Sequence, residues 1–311
     1  MRNITAEKED LEEFNKMSAI KKLLTKSFVE RLISGIILVA IAIVTIMLGG
    51  DVLLITTGII SVIGYFELIR VYKLEKSVPG IIGYIATVGY YILLKLLDGN
   101  IIKKDLRGHM GMESKNFIGE YLIFFAIIFI ICLMASYVLT FPKYKADDIM
   151  VCFFGFFYVV VMLSYIYQVR EIKEGTYLVW LIFLSSWGCD TCAYLVGVMF
   201  GKHKMAPVLS PKKSIEGGIG GVLGAALLGF IYATIFKDSL RPNAQTMYAI
   251  VCGVGGLVSQ IGDLMASGIK RDHEIKDYSR LIPGHGGILD RFDSMIVTAP
   301  IIFYLSIFLS K

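Results

Sequence analysis

The stretch YLIFFAIIFIICLMASYVLTF, residues 121–141, contains no charged side chain. A helix crosses the hydrocarbon core of a bilayer with about 20 mostly apolar residues, and this stretch is long enough to do so. Eight further apolar runs of similar length lie at 32–48, 52–71, 80–97, 149–169, 177–200, 215–236, 245–266 and 294–310. The sequence therefore predicts an all-α, polytopic integral membrane protein with about nine transmembrane helices.

The composition agrees with this prediction. The chain has 311 residues, of which 56% are hydrophobic and 18% are charged, whereas an average soluble domain carries roughly 25% charged residues. Five cysteines and 31 glycines without a triplet repeat exclude a disulfide-rich secreted scaffold and a collagen. The net charge of +5 is modest, and in a membrane protein it indicates basic cytoplasmic loops and not a surface for nucleic acid.

Three regions follow from the distribution of charge. Residues 1–28 are polar and are predicted to form a cytoplasmic N-terminal segment, followed by N-terminal transmembrane helices at 29–176 and a C-terminal transmembrane region at 177–311. The N-terminus lacks the pattern of a cleaved signal peptide, so the first apolar run is expected to remain as an anchor.

The distribution of Lys and Arg predicts the orientation. With the N-terminus inside, the inside segments hold 18 of these residues and the outside segments hold nine, which favours a cytoplasmic N-terminus and an external C-terminus. The basic segment 98–119 opposes this bias. Segments 202–213 and 270–291 are separated by two spans and are therefore expected on the same side of the membrane.

Three acidic residues lie within apolar runs, where charge is costly and therefore informative. Glu67 lies one helical turn from Arg70, and two interpretations stay open: an ion pair or snorkelling at the helix end, or a functional role. Asp190 lies in the middle of its run and Asp263 lies on a polar stripe, so both are expected to serve a site.

Small residues in the C-terminal runs are interpreted as packing positions. Cys189 and Cys192 form a CxxC pair without a second pair to complete a metal site. The stretch GGIGGVLGAALLG, residues 217–229, contains small-xxx-small pairs that let helix backbones approach closely.

The densest polar stretch is SGIKRDHEIKDYSRLIPGHGGILDRFD, residues 267–293. Asp290 and Asp293 are three residues apart and share one helix face, which suits a hard divalent cation. The turn at 283–287, PGHGG, is able to aim amide N–H groups at an anion, and nearby lysine and arginine residues add positive charge. Upstream, SPKKSIEG at 210–217 is a basic turn leading into a helix N-terminus, which favours phosphate. Together these features indicate polyphosphate and Mg²⁺ chemistry.

These motifs resemble those of the phosphatidate cytidylyltransferase (CDP-diacylglycerol synthase) family. In 267–293 the matching positions are Ser267, Lys270, Arg271, Lys276, Asp277, Ser279, Pro283, His285, Gly286, Gly287, Asp290, Arg291 and Asp293. DTCAY at 190–194 and SPKKSIEG resemble two further family motifs, with Ser214 where the family has Thr. The resemblance is strong over 185–311, whereas residues 1–180 match mainly in being hydrophobic helices.

The resemblance implies that the cytidylyl group of CTP is transferred to phosphatidate, giving CDP-diacylglycerol and pyrophosphate. It implies metal-assisted direct attack by the lipid phosphate at the cytoplasmic face of a plasma (inner) membrane, with 177–311 as the catalytic region. The expected cofactor is Mg²⁺ on Asp263, Asp290 and Asp293, and a second cation, monovalent or divalent, stays open.

The resemblance also implies roles for individual residues. The expected catalytic residues are Lys213, Asp263, Asp290 and Asp293. The residues expected to bind substrate or nucleotide are Asp190, Ser210, Lys213, Ser267, Lys270, Arg271, Lys276, Asp277, His285, Gly286, Gly287 and Arg291. The expected partners are CTP, phosphatidate in the bilayer and membrane lipids, and the sequence is compatible with a monomer or a homodimer.

Three alternative functions make different demands on the sequence. A transporter would use intramembrane acids and glycine-rich helices but would not need a basic loop joined to paired carboxylates. A CDP-alcohol phosphotransferase requires a pattern beginning with Asp-Gly, and Asp98-Gly99 lacks the residues that should follow. A cytidylyltransferase acting on another lipid phosphate, such as a polyprenyl phosphate, stays open because these motifs do not report the shape of the lipid chain.

Overall fold

The computed structural model describes residues 26–98 and 117–309. Within these ranges nine helices are long and apolar enough to cross a membrane. They are α1 (Lys26–Leu48), α2 (Gly50–Val71), α3 (Val78–Asp98), α4 (Phe117–Thr140), α5 (Ala146–Glu171), α6 (Gly175–Phe200), α7 (Ile215–Ile235), α8 (Ala244–Asp272) and α9 (Leu289–Leu309). Each predicted apolar run coincides with one of these helices to within a few residues, which confirms the all-α polytopic class.

A small β-hairpin precedes α7. Strand β1 (Lys204–Ala206) pairs antiparallel with β2 (Ser210–Ser214), with Lys204 opposite Ser214. The basic segment expected to be a turn is therefore a strand, and its sequence lacks the alternation of apolar and polar residues that would have predicted one. The helix start expected after it is confirmed, because the Ser214 hydroxyl caps α7 by accepting a hydrogen bond from the Gly217 amide at 3.1 Å.

Helices α6, α7, α8 and α9 pack along one another in sequence order. Glycines make the approach between them close: a Cβ on Gly221 would lie 2.9 Å from the Cys189 carbonyl oxygen, and one on Gly229 would lie 2.5 Å from the Tyr248 carbonyl oxygen. Cys189 is buried and donates to the Gly256 carbonyl at 3.4 Å. The structure thus confirms that the glycine-rich stretch and the CxxC pair serve helix packing.

The N-terminal and C-terminal helices share one core. Helix α9 packs on α5, and it also contacts α2. Helix α5 contains a π-helical segment, Phe156–Val161, whose aromatic and branched side chains are largely buried among α2, α3 and α4. The region boundary at residue 177 falls in the first turn of α6 and stays a prediction.

The motif segments lie at one end of the bundle. Lys213 of β2 forms an ion pair with Asp263 in the last third of α8, the helix that leads into segment 270–291. This contact agrees with the expectation that segments 202–213 and 270–291 share a side of the membrane, which stays a prediction. At the opposite end Arg241 pairs with Glu174 at 3.0 Å. The N-terminal segment 1–28 and the basic segment 98–119 lie almost wholly outside the described residues, so their orientation stays a prediction.

Replacing Gly229 by alanine should destabilise the protein. The new methyl group meets a backbone carbonyl that cannot move aside, and overpacking of this kind costs about 1–3 kcal/mol. The measurement is the thermal unfolding midpoint in detergent. Gly253→Ala is the matched control in the same interface, because its Cβ would lie 3.3 Å from a methyl group, that of Ala226. Equal midpoints for the two variants would contradict the packing argument.

Candidate active site

The loop between α8 and α9 folds back on itself at the predicted glycine turn. The Ile282 amide donates to the Gly286 carbonyl at 2.8 Å, and the Gly286 amide donates to the Ile282 carbonyl at 3.1 Å. Gly284 and Gly286 have φ angles of +73° and +87°. L residues with side chains rarely adopt such angles, so this turn depends on glycine.

Asp290, at the start of α9, ties this loop together. One of its carboxylate oxygens accepts from the Tyr278 amide at 2.8 Å and from the Gly287 amide at 2.9 Å. The other oxygen accepts from the Lys270 ammonium at 2.8 Å. The carboxylate therefore joins α8, both halves of the loop and α9.

Amide groups of the glycine turn and of the residues after it have partners within the protein. The His285 and Gly286 amides donate to the Ile282 carbonyl, and the Gly287 amide donates to Asp290. The next two amides, those of Ile288 and Leu289, donate to the carboxylate of Glu67. The expectation that these amides would be aimed at an external anion is therefore wrong in this structure. Positive charge for a phosphate must come from side chains.

A second carboxylate–ammonium pair lies beside the first. Asp263 pairs with Lys213, and each of these side chains is 26% exposed. The charges of Asp263 and Asp190 both act on Asp293, which is buried and accepts a hydrogen bond from the Ser294 amide at 2.7 Å. Asp190, Asp263 and Asp293 thus form one electrostatic cluster. Asp290 adjoins this cluster, because it lies one helical turn before Asp293 on α9.

The donor chemistry of this cluster fits a magnesium ion. Carboxylate oxygens are the ligands that hard divalent cations prefer. Among residues 26–98 and 117–309, no three His, Cys, Asp or Glu side chains converge closely enough to hold a metal as they stand. Two of the expected ligands, Asp263 and Asp290, are each paired with a lysine. In this structure the lysine ammonium groups therefore balance the carboxylate charge that a bound cation would otherwise balance.

His285 links the glycine turn to α1. The Ser34 hydroxyl lies 2.8 Å from His285 Nδ1 and 2.9 Å from the Pro283 carbonyl oxygen. Burial lowers the pKa of His285, and the positive charges of Arg291 and Arg31 lower it further. The imidazole is therefore held neutral near pH 7 and acts as a hydrogen-bonding group without a charge.

The remaining expected residues lie on the elements that carry this cluster or on the loop next to it. The exposed ones on α8, the loop and α9 are Arg271, Lys276, Asp277 and Arg291. Ser210 of β2 and Ser267 of α8 are half-buried. The structure thus brings together Lys213, Asp263, Lys270, Asp290 and Asp293, with Asp190 facing them from α6.

Two residues near the site, Tyr158 and Ser34, could not be identified from the sequence, whereas Glu67 stands out there as an acid within an apolar run. The Tyr158 hydroxyl is buried without a hydrogen-bond partner among the described residues, and it interacts electrostatically with Asp293 and Asp263. Ser34 supports the glycine turn, and Glu67 reaches the start of α9. Tyr158 and Ser34 are uncharged residues in apolar runs, so composition gives no signal for either.

Comparisons with known proteins agree with this geometry. A model of the cytidylyltransferase family matches residues 29–309. The chain belongs to the cytidylyltransferase family. A phosphatidate cytidylyltransferase of Staphylococcus aureus (strain COL) is 33% identical over 278 residues, covering 89% of this chain and 98% of that protein. The proteins of the same name from Staphylococcus saprophyticus and Staphylococcus epidermidis are 31% and 32% identical, each again with 89% of this chain and 98% of the relative covered.

Family membership makes the protein a nucleotidyltransferase enzyme and decides against the transporter alternative. It also extends the sequence-based resemblance, which was strong only over 185–311. The family match begins at residue 29, so the N-terminal helices belong to the family pattern and are more than hydrophobic spans. This agrees with the contacts that Ser34 and Glu67 make with the glycine turn and α9.

In this cytidylyltransferase Glu216 fixes the hairpin that carries Lys213. Its carboxylate accepts from the Lys202 amide at 3.1 Å and the His203 amide at 3.2 Å, and lies 2.6 Å from His203 Nδ1. These contacts join the first residues of the hairpin segment to the first turn of α7. Glu216 therefore acts on the site through the position of Lys213.

Replacing Glu216 by alanine should loosen the hairpin. Alanine has no side-chain acceptor, so the backbone donors at 202–203 lose their partner. Trypsin cleavage after Lys202, Lys204 and Lys212 should become faster than in the unmodified protein. Thr234→Ala, which removes a hydrogen bond within α7 far from the hairpin, should leave the cleavage rate unchanged. Equal cleavage of both variants would contradict this role of Glu216.

Proposed function

We propose that this enzyme transfers the cytidylyl group of CTP to phosphatidate, releasing pyrophosphate and forming CDP-diacylglycerol. The names of its relatives support this reaction. The observation that carries the proposal is the pair of ammonium–carboxylate contacts, Lys213 with Asp263 and Lys270 with Asp290, side by side at one end of the helical bundle.

Such a site suits a reaction between two anions. The phosphate of phosphatidate is already a nucleophile, so the protein need not supply a covalent serine or cysteine. The task is to bring lipid phosphate and nucleotide together against their repulsion and to stabilise the departing pyrophosphate. Lys213 and Lys270 bind phosphate oxygens in this proposal, and Arg271 and Arg291 add positive charge at the rim.

Asp263, Asp290 and Asp293 would hold Mg²⁺, with Asp190 facing them from α6. When bound, the ion neutralises phosphate charge and orients the reacting groups. Within the cluster, four carboxylates face two ammonium groups, so the acids carry two excess negative charges when ionised. This excess of negative charge supports the binding of a divalent cation. The proposal also includes a second cation, monovalent or divalent, at the same site.

The remaining expected residues complete the substrate site. Ser210 and Ser267 offer hydroxyl groups to phosphate oxygens from β2 and α8. The neutral His285 and the turn at Gly286 and Gly287 border the nucleotide, and Lys276 and Asp277 border the entrance from the loop. These roles extend the contacts already described, since each of these residues lies on an element that also carries a cluster residue or adjoins one.

The position of the acids within membrane-spanning helices supports a site that substrates can enter both from the bilayer and from water. Asp190 and Asp263 lie in apolar helices, whereas the hairpin and the 273–288 loop lie outside the spans. A lipid phosphate reaches such a site from the bilayer, and CTP reaches it from water. We propose that the site faces the cytoplasm of a plasma membrane, which the excess of Lys and Arg on this side supports.

The substrate is tested directly with purified protein in detergent. Labelled CTP is supplied with phosphatidate, with a polyprenyl phosphate, or without lipid, in the presence of Mg²⁺. The proposal expects labelled lipid and pyrophosphate with phosphatidate alone. Labelled product with polyprenyl phosphate alone would overturn the choice of lipid, and no product with either lipid would overturn the reaction.

Replacing Lys213 by alanine should weaken the use of CTP. Loss of a charge-assisted phosphate contact costs about 1.5–3 kcal/mol, which corresponds to about a 10- to 150-fold loss in kcat/KM. The matched control is Lys212→Ala, because Lys212 is the neighbouring residue of the same strand and is exposed. An unchanged kcat/KM for Lys213→Ala would remove this residue from the site.

Replacing Asp290 by asparagine should abolish Mg²⁺-dependent release of pyrophosphate. Asparagine lacks the charge for a cation, and its NH₂ group would face either Lys270 or the loop amides, which are all donors. Asp293→Asn separates these effects, since Asp293 accepts no hydrogen bond from the loop and should also lose activity. The control is Asp51→Asn, because Asp51 lies in the first turn of α2 and forms an exposed ion pair with Lys95. Near-normal turnover of Asp290→Asn and Asp293→Asn would contradict the metal assignment.

A further inference from the structure

Glu67 of α2 is a buried carboxylate whose partners all belong to the loop and the start of α9. Its side chain is 1% exposed. One oxygen accepts from the Ser279 hydroxyl at 2.6 Å and from the Ile288 amide at 3.0 Å, and the other accepts from the Leu289 amide at 2.8 Å. The interpretation of Glu67 as an ion-pair partner of Arg70 is wrong, because Arg70 lies against the ring of Phe66 instead.

These contacts match what an ionised carboxylate requires inside a protein. The first N–H groups of a helix have no partner within the helix and carry partial positive charge. Glu67 accepts hydrogen bonds from two amides at the start of α9. These two amides and the Ser279 hydroxyl offset the free-energy cost of burying the Glu67 charge. Gly287 permits the approach, because a Cβ there would lie 2.6 Å from both Glu67 oxygens.

The position of α9 depends on this contact. Asp290 follows Leu289 directly, and Asp293 lies one turn further along the same helix. Glu67 and Asp290 together occupy the amides of three successive residues, 287–289. An incoming phosphate therefore cannot bind at this helix start and is left to the lysine side chains, next to the acids.

We infer that Glu67 is a positioning residue of the active site: by closing the N-terminus of α9 it holds Asp290 and Asp293 in register with Asp263, and it keeps substrate phosphate away from these amides. This inference rests on the proposed function. It assigns to the N-terminal helices a direct part in arranging the acids of the C-terminal region.

The test compares three variants of the full chain. In Glu67→Gln the side chain keeps its size, but one of its two oxygens becomes an NH₂ donor, so either orientation sets a donor against a donor. Ser279→Ala removes only the hydroxyl partner and is the milder change. The matched control is Ser61→Ala on the same helix, which removes the buried hydrogen bond to Tyr91 at 2.7 Å and touches neither the loop nor α9.

Two measurements are made on each variant beside its thermal unfolding midpoint. The first is steady-state kinetics with CTP and phosphatidate over a range of Mg²⁺ concentrations. Glu67→Gln should lower kcat by about 10- to 100-fold, the range seen when a partner that orients a metal ligand is removed, and should need more Mg²⁺ for half-maximal rate. Ser279→Ala should change both quantities in the same direction by less.

The second measurement is hydrogen–deuterium exchange of the peptide covering 282–293, which requires no turnover. Exchange should be faster in Glu67→Gln and unchanged in Ser61→Ala. Wild-type exchange in Glu67→Gln and Ser279→Ala, or a kcat of both equal to that of Ser61→Ala, would overturn the inference. If Glu67→Gln does not fold, Ser279→Ala decides in the same way. Absence of cytidylyl transfer by the unmodified protein would contradict the proposed function, while the exchange result would still decide whether Glu67 fixes α9.

Discussion

A carboxylate inside a membrane-spanning bundle must be compensated by groups of the protein itself, because lipid supplies no donors. Three acids of this bundle obey this constraint at one site. Glu67 receives two amides and a hydroxyl, Asp290 receives two amides and an ammonium group, and Asp263 receives an ammonium group. The path of the loop, the start of α9 and the placement of the hairpin all follow from satisfying these acids.

The same constraint distinguishes two kinds of acid: those held by fixed donors, which position the helices, and those held by a lysine, which remain able to bind substrate or metal. Glu67 accepts three hydrogen bonds from fixed donors, two of them backbone amides. Asp263 is held by the long side chain of Lys213. A lysine side chain moves between a carboxylate and a phosphate at little cost, whereas a helix start does not. Charge that is exchangeable and charge that is fixed therefore lie within the same site.

Much of the architecture could be predicted from local properties of the sequence. The nine spans follow from the length of apolar runs, and Asp290 and Asp293 follow from their spacing beside a glycine turn. The hairpin could not be predicted, since Ser210–Ser214 has neither alternation nor β-branched residues. The partner of the Ile288 and Leu289 amides could not be predicted either, because it is Glu67, a residue more than 200 positions away in the chain.

The separation along the chain between Glu67 and its partners has a consequence for how the enzyme is made. The three donors follow Glu67 by 212, 221 and 222 residues. At about 5–20 residues per second, a ribosome needs on the order of 10 to 40 seconds to add this length. During that interval the second helix is already synthesised, but its carboxyl group has none of these donors. Glu67 therefore acquires its partners only after the loop and the start of the ninth helix have been made.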